Sequence, residues 1–126
     1  MLRKLRTLVR LMRASRTLGR ASKLQKRGRS AEAAAGYADV IRQLDSLREL
    51  PEGPSDFSVS DPANLSLRLV AYSSLAELRW KAGDPEGGKL LAREVLDLCS
   101  RVQGIKEFDK WSKWAREFIG PDRPLN

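Results

Sequence analysis

The chain has 126 residues, 41% of them hydrophobic and 32% charged, enough for one domain with a modest core and a well-solvated surface. It has no histidine and one cysteine, Cys99, which removes the commonest general base and metal ligand and rules out an intramolecular disulfide. No apolar run approaches the roughly 20 residues that cross a bilayer, and a secretory signal is not expected where Arg and Lys recur every few residues of the N-terminus.

The formal charge of +8 is unevenly placed. Residues 1–29 carry 11 Lys and Arg and no acid, whereas the remainder carries 13 basic and 16 acidic residues. A basic N-terminal arm is therefore joined to a mildly acidic body.

Helix signals punctuate the chain in order. The first helix is expected from about Leu2 to Arg27, closed by Gly28, with Lys26 and Arg27 at its negative dipole end. Ser30 is expected to cap a second helix that runs to about Leu50 and stops at Pro51. The stretch PEGPSDFSVSDP, residues 51–62, carries three prolines and reads as a loop. Asp61-Pro62 and Asp84-Pro85 each pair a cap with proline at the first helical position, and start a third and a fourth helix. Gly83 ends the third, the fourth stops near Val102, and a fifth covers about Ile105 to Ile119 before Gly120-Pro121. No alternation is sustained, so no strand is expected.

Apolar stripes agree with these bounds. Ala33, Tyr37, Val40, Leu44 and Leu47 follow helical spacing, as do Leu91, Val95, Leu98 and Val102, and Phe108, Trp111, Ala115 and Phe118. The third helix is apolar on most sides and is expected at the centre, with Tyr72 and Leu75 buried there. The first helix changes phase. Leu2, Leu5, Val9 and Met12 form one stripe with Leu8 beside it, and Ala14, Leu18, Ala21 and Leu24 form another, rotated by about half a turn. Residues 14–27 are therefore expected to pack on the body while residues 2–13 face something else.

Two helix pairs look alike. One turns at Gly28 and continues SAEAAAGYADVI; the other turns at Gly83 and continues DPEGGKLLAREVL. Together they resemble the tetratricopeptide repeat, a 34-residue helix-turn-helix unit. Ala21, Leu24, Gly28, Ala33, Tyr37 and Val40 match its pattern in the first pair, and Tyr72, Leu75, Ala76, Gly83, Gly88, Ala92 and Val95 in the second. Gly28 and Gly83 stand 55 residues apart, the excess lying in the long second helix and the loop, so the array is irregular. The resemblance implies an all-α fold of two antiparallel helix pairs plus a C-terminal capping helix. It also implies a concave partner groove at Val70, Ser73, Glu77, Trp80 and Lys81, with Ser15, Leu18, Ser22, Gln25 and Lys26 as the first-pair counterparts. The Asn and Lys clamp by which some members grip a C-terminal carboxylate is absent.

Nothing points to catalysis. Cys99 lacks a histidine base and reads as a buried structural thiol. Glu49, Glu52, Asp56 and Asp61 do not follow a calcium-loop order, and Gly87-Gly88 is not a phosphate loop. No cofactor, metal or small-molecule substrate is expected. Trp111 lies on its helix's stripe and Trp114 off it, while Trp80 reads equally as groove hot spot or as packing under the fifth helix.

The arm carries the sharpest signal. Arg3, Arg6, Arg10 and Arg13 form a stripe beside Leu2, Leu5, Val9 and Met12. Such a helix suits an anionic membrane surface, a nucleic-acid backbone or an acidic groove on another protein. It also fits a mitochondrial targeting segment, and a solvated face docked by its leucines is the plain alternative. The sequence thus reads as a basic amphipathic arm (1–13) continuous with the first helix, a repeat-like domain (14–120) and a tail (121–126). The expected function is a non-catalytic adaptor or scaffold module in the cytoplasm that binds another protein, with nucleic-acid or ribonucleoprotein binding through the arm as the alternative.

Overall fold

A computed structural model describes residues 2–46, 62–102 and 106–120. Five α-helices lie within them: α1 (Leu2–Lys26), α2 (Ser30–Asp45), α3 (Pro62–Lys81), α4 (Pro85–Ser100) and α5 (Asp109–Ile119), the last entered through a 3-10 turn at Lys106–Phe108. The described residues contain no strand, and the all-α class read from the sequence is the class adopted. The expected extension of the second helix beyond residue 46, the Asp61 cap and the tail lie outside the described residues, as does the loop 51–61 with its carboxylates.

The two tight turns are built alike. Gly28 and Gly83 adopt φ of 79° and 90°, the left-handed conformation that glycine enters without a Cβ clash. Beyond each glycine an amide reaches back six residues inclusive, Arg29 N–H to Leu24 O at 2.9 Å and Asp84 N–H to Arg79 O at 2.8 Å, which satisfies an orphan carbonyl at each helix end. Asp84 then caps α4, its Oδ1 accepting from Gly87 N–H at 2.9 Å with Pro85 in the first turn. Ser30 departs from its expected role: α2 begins at Ser30 itself, after Arg29, with no side-chain cap. The turn is so short that the chain re-enters the helix before the serine can stand outside it.

The burial register repeats as well. Ala14, Ala21, Ala33, Val40 and Leu44 are buried, and the residues 55 positions later, Leu69, Ala76, Gly88, Val95 and Cys99, are buried too. Small residues sit where backbones come closest. A Cβ added to Gly88 would stand 2.8 Å from the Ala76 carbonyl oxygen, and one added to Gly36 2.9 Å from the Ala21 Cβ.

Each helix packs on the next in sequence, and α1 also reaches α3. The core has two parts. Ala71, Leu75 and Leu78 of α3 join Ala14, Ala21, Tyr37, Val40 and Leu44 of α1 and α2. Leu65 and Leu69 join Ala92, Val95 and Leu98 of α4, Phe108 of the 3-10 turn and Ala115 of α5. Helix α3 therefore contributes to both clusters, the central place expected of it. Leu75 is buried as expected; Tyr72 is half-buried and packs from the side against the second cluster.

One polar bridge crosses this core. Arg68 is buried, donates from Nε to Asn64 Oδ1 at 2.8 Å, and pairs through Nη1 with Asp45 Oδ1 at 2.6 Å. It ties α3 to the last turn of α2.

Candidate functional site

Helix α5 packs on α4 and meets the C-terminal part of α3 through side chains, leaving a cleft of about 350 Å³ lined by Glu77, Trp80, Lys81, Trp114, Glu117 and Phe118. Helical spacing explains the grouping: Glu77, Trp80 and Lys81 share one face of α3, and Trp114, Glu117 and Phe118 share one face of α5. Phe118 binds the two tryptophans together. Its ring meets Trp80 edge-on at 5.2 Å between centroids and Trp114 at 5.1 Å with a 35° tilt. Trp114 donates its indole N–H to Glu77 Oε1 at 3.4 Å across the cleft. Lys89, itself buried, holds its ammonium 6.0 Å from the centre of the Trp80 ring. The cleft thus has an aromatic lining with two carboxylates and one ammonium at its edges.

Three of the five groove residues expected from the sequence line this cleft: Glu77, Trp80 and Lys81. Val70 and Ser73 do not. Val70 is half-buried, and Ser73 is buried with its hydroxyl donating to the Val70 carbonyl at 3.1 Å. Trp80 packs against Phe118 of α5 and also lines the cleft. Trp114, Glu117 and Phe118 were missed as cleft residues. Trp114 standing off the apolar stripe of its helix was the signal.

A second cleft of about 290 Å³ lies beside the 3-10 turn, with Cys99, Asp109, Ser112 and Arg116 among its lining. Burial pushes the Cys99 thiol above its ordinary range, partly offset by a hydrogen bond with Ser112. That direction is opposite to the one an attacking thiolate needs. The Sγ lies 3.7 Å from the Phe108 carbonyl oxygen, a packing contact with a weak donor. Among the described residues, no three His, Cys, Asp or Glu side chains gather in a way that could hold a metal ion.

Helix α1 presents a different surface. Its inner face is set by Leu11, Ala14, Leu18, Ala21 and Leu24, all against α2 and α3. Nearer its N-terminus Leu8, Val9 and Met12 face away, 53%, 45% and 48% exposed. Of the four arginines expected to form the binding stripe, Arg6 and Arg13 are exposed. Arg10 is half-buried and donates from Nη1 to Ser46 Oγ at 3.1 Å, so it serves the α1–α2 contact. The side chains of Arg3, Leu2 and Leu5 lie outside the described part of the structure. Sequence reasoning did not count Arg16, Arg20 and Lys23, exposed on α1, or Arg27, exposed in the turn after it, among the binding cations. Their signal was the absence of any acid before Glu32, which leaves no carboxylate within the helix to pair with them.

Comparison with protein-family models, with curated proteins and with solved structures gives no match. The functional reading therefore rests on the chain's own geometry. Among the described residues, no helix is long and apolar enough to cross a membrane.

Proposed function

We propose that the protein is a non-catalytic interaction module, a small adaptor or scaffold subunit of the cytoplasm built from two repeat-like helix hairpins. In this reading it receives a partner protein in the α3–α5 cleft and is tethered through α1. The observation that carries the reading is the cleft itself, where Trp80, Trp114 and Phe118 stand together with Glu77, Lys81 and Glu117 around them. Large rings fixed by one another offer contact area at little entropic cost, and the carboxylates favour a segment bearing a cation beside an apolar side chain. The likeness of the two hairpins lies in the shared turn geometry at Gly28 and Gly83 and the burial register repeated at 55 residues.

The test is affinity capture quantified against variants. Trp114→Ala and Glu117→Lys should each remove the same discrete set of proteins without changing the helical signal. Capture of identical proteins by the wild type and both variants would overturn the cleft as the binding site.

A second reading, nucleic-acid binding, draws on the exposed cations of α1. It requires uptake of duplex or single-stranded nucleic acid that falls steeply with salt and is indifferent to the cleft variants.

A further inference from the structure

Helix α1 and the turn that follows it carry on their outward side one stripe at three- and four-residue spacing: Val9 and Met12, then Arg16, Arg20 and Lys23, with Arg27 in the turn. Leu8 borders its beginning and Arg13 runs beside it. At about 100° per residue these side chains lie opposite Leu11, Ala14, Leu18 and Ala21, which hold the helix to the body. The stripe is therefore apolar at one end and cationic along the rest, and every member of it is exposed. Arg13, Arg16, Arg20, Lys23 and Arg27 form no ion pair among the described residues. From Leu8 to Arg27 the stripe is about 29 Å long at 1.5 Å per residue.

We propose that this face of α1 lies flat on an anionic lipid surface. Leu8, Val9 and Met12 enter the boundary between headgroups and acyl chains, and the row from Arg13 to Arg27 meets the phosphate and carboxylate headgroups. The inference rests on the reading of α1 as a tether.

Two observations select this occupant. Five regularly spaced cations on a segment with no acidic residue of its own fit an extended anionic surface, which accommodates any spacing because lipids move. Three large apolar side chains about half exposed on the same face gain free energy by entering an apolar medium, and a phosphate backbone offers them none. The inner face is already filled by the body, so the helix lies on the bilayer rather than crossing it. The cleft at α3 and α5 is lined by the later helices and stays open to a partner.

The test uses the full chain with vesicles of phosphatidylcholine containing about 30% phosphatidylserine, and with vesicles of phosphatidylcholine alone, at about 0.15 M and about 0.5 M salt. Sedimentation should show binding to the anionic vesicles and not to the neutral ones. Arg16→Gln with Arg20→Gln should weaken partitioning about thirty-fold at the lower salt. Leu8→Ser with Met12→Ser should weaken it at least about ten-fold at both salts, since apolar insertion is not screened. All four positions are exposed, and an unchanged circular dichroism spectrum confirms that the variants fold. Absence of binding to anionic vesicles overturns the proposal. So does binding indifferent to Leu8→Ser with Met12→Ser, or tighter uptake by duplex RNA or DNA at the lower salt. If vesicles fail while Arg16→Gln with Arg20→Gln abolishes capture of a protein that the cleft variants retain, the lipid inference falls and the tether reading stands. If that capture is also unaffected, both fall.

Discussion

Arg68, buried in α3, places its Nη1 2.6 Å from Oδ1 of Asp45, whose side chain is half exposed in the last turn of α2. The asymmetry decides the energetics. Asp45 keeps much of its hydration and costs little to hold in place, whereas Arg68 has surrendered its water and depends on its partners. Asp45→Asn should therefore lower stability by about 1–2 kcal/mol, less than a fully buried pair because of the solvent at the carboxylate. Arg68→Met, which removes the charge and keeps the volume, should stay within about 1 kcal/mol of the wild type. Urea unfolding of the two variants checks the ordering; a larger loss for Arg68→Met than for Asp45→Asn would show that the arginine is a net stabiliser.

Two glycines in helices should respond in opposite directions. Gly19, in α1, has nothing within 4 Å of a built Cβ, so Gly19→Ala should stabilise by up to about 1 kcal/mol through helix propensity. At Gly88 a Cβ would press to 2.8 Å on the Ala76 carbonyl oxygen and 3.2 Å on the Phe118 ring. The carbonyl belongs to a helix backbone and cannot swing aside. Gly88→Ala should cost about 1–3 kcal/mol despite the propensity gain, and should shift tryptophan fluorescence because Phe118 touches both cleft tryptophans. A melting temperature at or above that of the wild type would show that α3 and α4 separate freely.

Alkaline pH should unfold the chain earlier than its charge alone suggests. Burial raises the Tyr72 hydroxyl from 10.0, opposed by the Arg68 guanidinium, and burial likewise raises the Cys99 thiol from 9.0. Both groups are neutral when protonated, so the folded chain retains protons that the unfolded chain releases. Their contribution is intact below the unfolded values and is lost as pH rises through the folded ones. Stability should begin to fall above about pH 9, and Cys99→Ala should remove the earlier part of the fall. A flat stability profile from about pH 8 to pH 10.5 would contradict this.

Truncation should find the edge of the packed body between residues 9 and 14. Removing residues 1–9 takes away the exposed Arg6, Leu8 and Val9 and should leave the melting temperature nearly unchanged. Removing residues 1–13 also takes Leu11 from the core and Arg10 from Ser46, and should lower it by about 3–8 °C. Equal melting temperatures for the two truncations would place Leu11 outside the core.

Much of this architecture was legible because it follows local rules. Gly28, Gly83 and Asp84-Pro85 announce their turns by chemistry that needs no distant partner, and the stripe Ala33, Tyr37, Val40 and Leu44 names its own buried face. The misreadings came where two segments meet. Ser30 looked like a cap until the tightness of the preceding turn drew it into the helix. Arg10 shared a stripe with Arg6 and Arg13, and only the position of Ser46 turned it inward. In the cleft, Glu77, Trp80 and Lys81 were marked by repeat resemblance, but Trp114, Glu117 and Phe118 belong to α5, whose side-chain meeting with α3 no periodicity could give. Arg68 sits among the apolar positions of α3, and the carboxylate that accounts for it is on another helix.

Each helix resting on its neighbour in sequence also shapes how the chain reaches this structure. The native contacts join segments a few tens of residues apart, so little loop-closure entropy is lost before contacts reward it. A hairpin such as α1–α2 can form around Gly28 while the rest of the chain is still open, and α3 then adds to a surface already in place. Folding on the millisecond scale or faster, as for other chains rich in local contacts, is the expected consequence. Stopped-flow fluorescence from Trp80, Trp111 and Trp114 would follow the later helices as they close.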